Sequence, residues 1–440
     1  MHGTSRAILK TMIAGLVIAG VFVIGAMPEA AEPEGKGDGR PRQTMHGKVF
    51  CGYQGWFSGK DDGTGIDFDN YRFDGVFEPG CCVIDLWPDM SETDPDERYA
   101  TPFRHADGAV ATVFSSANAK TVDRHFAWMK TYGIDGVFLQ RFGWALTDPP
   151  TLRHRNVVID RVRTSAAKHD RLWAVMYDLT SLTRGQIHEF VMEDWKRIVR
   201  SDDPRPEASY TRHDGKPVVA IWGVGFRGGR AYGLDECLEL IRFLQDDPVC
   251  GGNAVMLGVP YGWRLQQRDA SQDETLHDVL LTADILSPWT VGRYRSPDDM
   301  ERHQQVLAAD QAWLEERGKG YLPVAFPGFS WQNLEKAHGR EAELNVIPRR
   351  GGRFLWAQAL AARQAGAQMC YIAMFDEMNE ATAIFKCTND PPVGASAFMT
   401  YQGLPSDHYL WLTGRIGQLM RGEIEPTREM PTRRSQDEEK

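Results

Sequence analysis

Met369-Cys-Tyr-Ile-Ala-Met-Phe375 runs directly into Asp376-Glu377-Met378-Asn379-Glu380. The seven apolar residues are too few for a core helix and show no alternating polar face, so they read as a strand buried on both sides. Such a strand needs parallel neighbours, and the chain supplies further runs of the same kind. They are Lys48–Gln54, Gly136–Arg141, Leu172–Asp178, Pro217–Trp222, Ala254–Val259, Asp284–Trp289 and Leu322–Phe326. After the first they recur at roughly 30–50 residues, the length of a strand–helix unit with its loops. Helical periodicity fills the gaps. Val122, Phe126 and Met129 share one face before Gly133, and Ile187, Val191, Trp195 and Ile198 follow Thr183, a candidate N-cap. Eight strands, each followed by a helix, predict a single (β/α)8 TIM-like barrel with a long first βα connection, Gly55 to Ala117, over its mouth.

The barrel is expected over 47–423, with a charged, loose tail over 424–440. Ahead of it, His2, Arg6 and Lys10 precede an apolar run from Met12 to Met27, then small residues. That pattern reads as a signal peptide over 1–31, followed by a Gly- and Pro-rich linker over 32–46. The expected location is therefore secreted or periplasmic, the alternative being an uncleaved N-terminal anchor; no stable membrane partner is expected. Seven Cys leave at least one unpaired, with Cys237–Cys250 a conceivable bridge and free buried thiols the alternative. Fifty Lys+Arg against 60 Asp+Glu give a net charge of −10, which disfavours nucleic acid as a partner. Thirteen Trp, 13 Tyr and 20 Phe suit a protein that stacks on sugar rings, although many rings must fill the core.

In such barrels the chemistry sits at the C-terminal strand ends. Those ends carry Tyr53, Gln54 and Trp56, then Gln140 and Arg141, Tyr177 and Asp178, Trp222, Trp289 and finally Asp376. All are candidate substrate-binding residues. Asp376, Glu377 and Glu380 form the sharpest cluster. Mutual repulsion among three carboxylates makes a functional origin more economical than a solvated turn at a barrel mouth. On a helical turn, Glu377 and Glu380 would be i,i+3 neighbours about 5–6 Å apart at their bases, near the ~5–5.5 Å carboxyl separation of retaining glycosidases. Like charges that close raise one pKa, leaving one acid and one base near neutrality.

Phe375-Asp376-Glu377-Met378-Asn379-Glu380-Ala381-Thr382 resembles the N-E-W-H-E-G-T segment of glycoside hydrolase family 99, the endo-α-mannosidases and endomannanases. Tyr321-Leu-Pro-Val-Ala-Phe-Pro-Gly328 resembles that family's preceding strand, and the aromatic first strand through Tyr53 and Trp56 is similar too. The chain is closer still to bacterial proteins grouped with families 71 and 99, often labelled xylosidase/arabinosidase, sharing Asp178, the Trp222 strand and Ser287-Pro-Trp-Thr290. The resemblance implies a (β/α)8 glycoside hydrolase acting on an oligo- or polysaccharide with retention, needing neither metal nor other cofactor. It implies Glu377 as base towards the sugar 2-hydroxyl and Glu380 as general acid/base. Asp376, Met378, Asn379 and Ala381 replace the family's Asn, Trp, His and Gly, so the pocket shape departs where the carboxylates do not.

Other readings compete. Gly223-Val-Gly225-Phe-Arg-Gly228 matches a dinucleotide fingerprint, but it follows the fourth strand and its helix begins late. Gly328-Phe-Ser330-Trp-Gln lacks the second glycine of a nucleophile elbow. Asp61, Asp62, Asp67 and Asp69 read as a solvated acidic loop or, less simply, a Ca²⁺ site. A non-catalytic carbohydrate-binding barrel would keep the aromatics and need neither Glu.

Overall fold

The structure, a computed structural model, describes Gln43 to Arg433. The expected signal peptide, most of the linker and the last residues of the tail lie outside the described residues. In chain order the strands are β1 (Val49–Tyr53), the hairpin β2 (Tyr99–Arg104) and β3 (Val110–Val113), β4 (Gly136–Phe142) and β5 (Leu172–Asp178). Next come β6 (Arg212–His213), β7 (Lys216–Trp222), β8 (Ala254–Pro260), β9 (Ile285–Trp289), β10 (Gly320–Tyr321), β11 (Val324–Ala325) and β12 (Cys370–Ile372). All eight expected barrel strands are present.

The central sheet runs parallel through β9, β8, β7, β5, β4, β1, β12 and β11. Of the seventh expected strand, Leu322–Phe326, only Val324–Ala325 forms a strand; a separate two-residue strand precedes it, and Pro323 between them has no N–H to give a ladder. The earlier piece, β10, pairs with β9 and the later, β11, with β12. Leu322 N–H donates to Leu286 O at 2.9 Å, and Tyr371 N–H donates to Pro323 O at 2.9 Å. The broken strand thus bridges both neighbours and closes the barrel.

The helices are α1 (Ala119–Tyr132), α2 (Gly143–Thr147), α3 (Pro149–His169), α4 (Glu193–Asp202), α5 (Leu234–Asp246), α6 (Leu276–Thr282), α7 (Met300–Glu315), α8 (Gln332–Ala337), α9 (Arg353–Gln364) and α10 (His408–Arg421). In α1, Asn118 caps the start and Gly133, at φ 73°, ends it with the left-handed turn that glycine tolerates. Val122, Phe126 and Met129 are buried, as their spacing predicts. Thr183 is not an N-cap: the helix begins at Gln186 with a wide turn over Ile187–Met192 before α4.

The long first connection is an ordered cap. It holds β2–β3 and its own aromatic cluster, in which Trp87 packs 5.1 Å from Phe103, centroid to centroid. Isolated backbone pairs join it to the segment after β12: Leu86 to Met399, Pro88 to Cys387 and Arg104 to Val393. Two expected boundaries move outward. Thr44 pairs with Arg212 and Met45 is buried, so packing starts before Gly47. Beyond Glu423, Trp356 donates to Thr427 O at 3.0 Å and Arg433 pairs with Asp407 at 2.9 Å, so this part of the tail is fastened rather than loose. All seven cysteines are free, and Cys237–Cys250 is not a bridge. Among the described residues no helix is long and apolar enough to cross a membrane.

Candidate active site at the barrel mouth

A cavity of about 520 Å³ opens at the C-terminal strand ends. Strand geometry decides which side chains reach it, since successive residues point to opposite faces. Of each adjacent pair read from the sequence, one faces the cavity: Gln54, Gln140, Asp178 and Glu377. The other turns back into the packing. Tyr53 bonds His125 Nδ1 of α1 at 2.8 Å, while Arg141 and Tyr177 converge on Asp194 of α4 at 2.5 and 2.8 Å. Asp376 is fully buried behind the mouth. The structure therefore does not place Tyr53, Arg141, Tyr177 or Asp376 where a substrate would touch them. Trp56, Trp222, Trp289 and Glu380 do line the cavity.

Asp376 has a positioning role instead. Its Oδ1 accepts the Gln54 N–H at 2.7 Å and its Oδ2 the Gly55 N–H at 3.0 Å. This fixes the turn after β1, and the Gln54 side-chain amide then donates to Glu377 Oε2. Glu377 Oε1 also accepts the Asn379 N–H at 3.0 Å and the Glu380 N–H at 3.4 Å. The segment after Glu377 is a hydrogen-bonded turn rather than the helical turn considered from sequence. It is braced from three sides. Asp85 N–H, in the long first connection, donates to Met378 O at 2.9 Å. Asn379 Nδ2 donates to Asn70 O at 2.9 Å, and Arg349 donates to Ala381 O and Ala383 O at 2.7 and 2.6 Å.

Burial pushes all three carboxyls up. Asp376 rises to about 7 although three backbone N–H groups, those of Gly55, Gln54 and Asp376 itself, oppose the shift, and Glu380 rises to about 7 through burial alone. Glu377 is raised well above the usual range, first by burial and then by the charges of Glu380 and Asp376. Asp178 is raised as well, chiefly by burial, with Thr180 opposing. Glu377 and Glu380 interact strongly enough that their protons belong to the pair rather than to either residue. Three N–H donors surround Glu377 and, among the described residues, none is directed at the Glu380 carboxyl, an arrangement that favours the ionised form at Glu377 over that at Glu380.

The walls are flat rings. Trp56 stacks on Phe142 at 4.9 Å, and Trp222 meets Trp289 edge-on at 5.5 Å. The glycine-rich loop after β7 forms part of this rim: Phe226 packs 4.8 Å from Trp222, with the Arg230 guanidinium 5.5 Å above the indole. Five buried polar atoms of lining residues have no partner among the described residues: Gln54 Oε1, Trp56 Nε1, Trp222 Nε1, Asn379 Oδ1 and Thr382 Oγ1. Buried polar groups are ordinarily paired, so donors and acceptors are presented to a polar ligand.

The long connection contributes lining residues absent from the sequence reading of the site. Asp69, Asn70, Arg72 and Phe73 reach the cavity, and Arg155 holds Asp69 at 3.1 Å. Of the acidic loop only Asp69 arrives; Asp62 is tied to Ser115 Oγ at 2.6 Å and Gly59 N–H at 3.0 Å. A more open groove of about 740 Å³ lies at the other end of the barrel, but there Arg163 is consumed by Asp202 and Glu207.

No protein-family model matches the chain, and no curated protein matches it. Solved structures do. A GH99 endo-α-mannosidase from Bacteroides thetaiotaomicron superposes with a TM-score of 0.58 at 13% identity, covering 86% of this chain and 98% of that one. The same enzyme in complex with bis-tris propane gives 0.57 at 15% identity, with the same coverages. At such identity the likeness is one of fold, and it agrees with the (β/α)8 barrel built above.

Proposed function

We propose that the protein is a glycoside hydrolase that cleaves an oligo- or polysaccharide, with Glu380 as general acid and Glu377 as base. The observation that carries this reading is the pair itself. Two neighbouring carboxyls, both pushed up by burial, lie in a cavity walled by Trp56, Trp222 and Trp289 and studded with donors and acceptors unpaired among the described residues. A sugar offers apolar ring faces for the indoles and hydroxyls that both donate and accept. The likeness in fold to a family 99 endo-α-mannosidase, and the Glu-x-x-Glu resemblance, point the same way.

In this scheme protonated Glu380 gives its proton to the departing glycosidic oxygen. Ionised Glu377, held by Gln54, removes the proton of the sugar's 2-hydroxyl, whose oxygen attacks the anomeric carbon. The C1–O bond to the leaving group breaks as the C1–O2 bond forms, giving a 1,2-anhydro sugar. Water, deprotonated by Glu380, then attacks C1, the C1–O2 bond breaks and Glu377 returns its proton to O2, giving net retention. Direct attack by Glu377 would instead give a covalent glycosyl-enzyme. The departures at Asp376, Met378, Asn379 and Ala381 leave the sugar open, so α-mannosides, xylosides, arabinosides and glucosides all belong in the screen. The chain's basic and apolar N-terminus supports export, with the enzyme meeting its glycan outside the cytoplasm.

The test is a panel of α- and β-linked glycosides followed by NMR of the first-formed anomer. Retention, with no turnover of 2-deoxy analogues, supports the internal route. A 2-fluoro glycoside that labels Glu377, seen by intact mass, overturns it in favour of the covalent route. No hydrolysis of any glycoside overturns the enzymatic reading.

A further inference from the structure

The barrel's opposite end holds a second cluster of chemically capable side chains. His46 lies in the segment before β1, His213 ends β6, and Asp214 begins the turn to β7. The two imidazole rings sit 4.8 Å apart, centroid to centroid. Each Nε2 faces the same carboxylate: His46 is 3.5 Å from Asp214 Oδ1 and His213 is 3.5 Å from Asp214 Oδ2. One ligand atom from each residue lies within 4.8 Å of the other two. We propose that His46, His213 and Asp214 bind one divalent transition-metal ion, of the zinc class.

Three features point to a metal rather than to a plain ion pair. A hydrogen-bonded pair would close to about 2.7–3.2 Å, whereas two ligands at about 2.0–2.2 Å from a tetrahedral zinc ion stand roughly 3.4 Å apart. The 3.5 Å separations match the second figure. The Nδ1 atoms of His46 and His213 are both buried with no hydrogen-bond partner among the described residues, although buried polar atoms are ordinarily paired. Two imidazoles and one carboxylate are also a donor set that zinc accepts. The remaining His–His edge needs to contract, and the partly exposed His46 and exposed Asp214 have room to do so. A fourth ligand has space too. The cluster opens on a cavity of about 280 Å³ that is also lined by Gln311 and Glu315 of α7.

The ion would have a structural consequence. Arg212 N–H donates to Gln43 O at 2.8 Å, so the segment before β1 already runs along β6. A metal across His46 and the 213–214 turn would lock that segment to the barrel's closed end.

The test uses the full folded chain, freed of metal with EDTA and dialysed. Zn²⁺ titrated against a chromophoric chelator should bind with one strong equivalent and raise Tm. Co²⁺ in its place should show the visible bands of a four-coordinate N/O site and no thiolate charge-transfer band. His46→Gln, at a partly exposed position that leaves the barrel core untouched, should weaken binding at least about tenfold, and Asp214→Asn should do likewise. The proposal is overturned if wild type binds no stoichiometric Zn²⁺. It is equally overturned if both variants bind as wild type does, or if the Co²⁺ spectrum reports thiolate from Cys81.

Discussion

The Gln54 N–H lies 2.7 Å from Asp376 Oδ1, and through it a fully buried carboxylate sets the position of the amide that grips Glu377. Asp376 therefore holds the surroundings of Glu377 in place without itself lining the cavity. It ties the end of β1 to the segment after β12, two neighbouring strands that are far apart in sequence.

Asp376→Asn should keep the volume but set an amide N–H₂ against one of the two backbone donors. The cost in stability should be about 1–3 kcal/mol, the usual penalty for an unsatisfied buried group. Thermal unfolding checks this. Turnover should fall with KM nearly unchanged, because Glu377 loses its placement while the walls do not. Gln54→Ala should reproduce the loss of turnover with a smaller loss of stability.

Activity should depend on pH through the carboxyl pair. Glu380 must be protonated to act, and its pKa near 7 places the alkaline limb of kcat/KM at about pH 7. The linkage to stability has a definite sign. A carboxyl whose folded pKa is raised binds its proton more tightly when folded. Its contribution is complete at pH below the ordinary value of 4.5 and is lost as pH climbs through about 7. Wild type should therefore lose stability relative to Glu380→Gln between pH 4.5 and 7. Chemical unfolding of both proteins across that range is the measurement, and a flat difference would count against the raised pKa.

Trp222→Ala should raise KM several-fold to tenfold with a smaller change in kcat, since a ring that stacks on the sugar binds ground and transition states alike. Its buried Nε1 has no partner among the described residues, so Trp222→Phe should recover stacking but not that hydrogen bond. Steady-state kinetics of the two variants separate the contributions.

Much of this was legible in the sequence, and the gaps have physical causes. Apolar runs flanked by loop residues locate all eight barrel strands, because a strand buried on both faces cannot hide its composition. Pro323 sits inside such a run, and the paired segments β10 and β11 lie on either side of it, a break that composition alone does not register. The candidate site was readable only to a resolution of two residues. Gln140 and Arg141 both end a strand, yet the pleat sends Gln140 to the cavity and Arg141 to Asp194. Asp69, Asn70 and Arg72 were invisible as lining residues because a non-repeating connection carries no period from which its direction can be read. The brace by Asp85 and Arg349 is likewise tertiary: each is far in sequence from the turn it holds.

The central claim is that Glu380 delivers the proton to the leaving group, and its most direct measurement is the leaving-group dependence of Glu380→Gln. Natural glycosides, whose leaving groups need protonation, should lose about 10²–10⁴-fold in kcat, while aryl glycosides of very acidic phenols should be largely spared. Equal losses on both substrate types would contradict the assignment and move the acid to another cavity carboxyl, with Asp178 first in line.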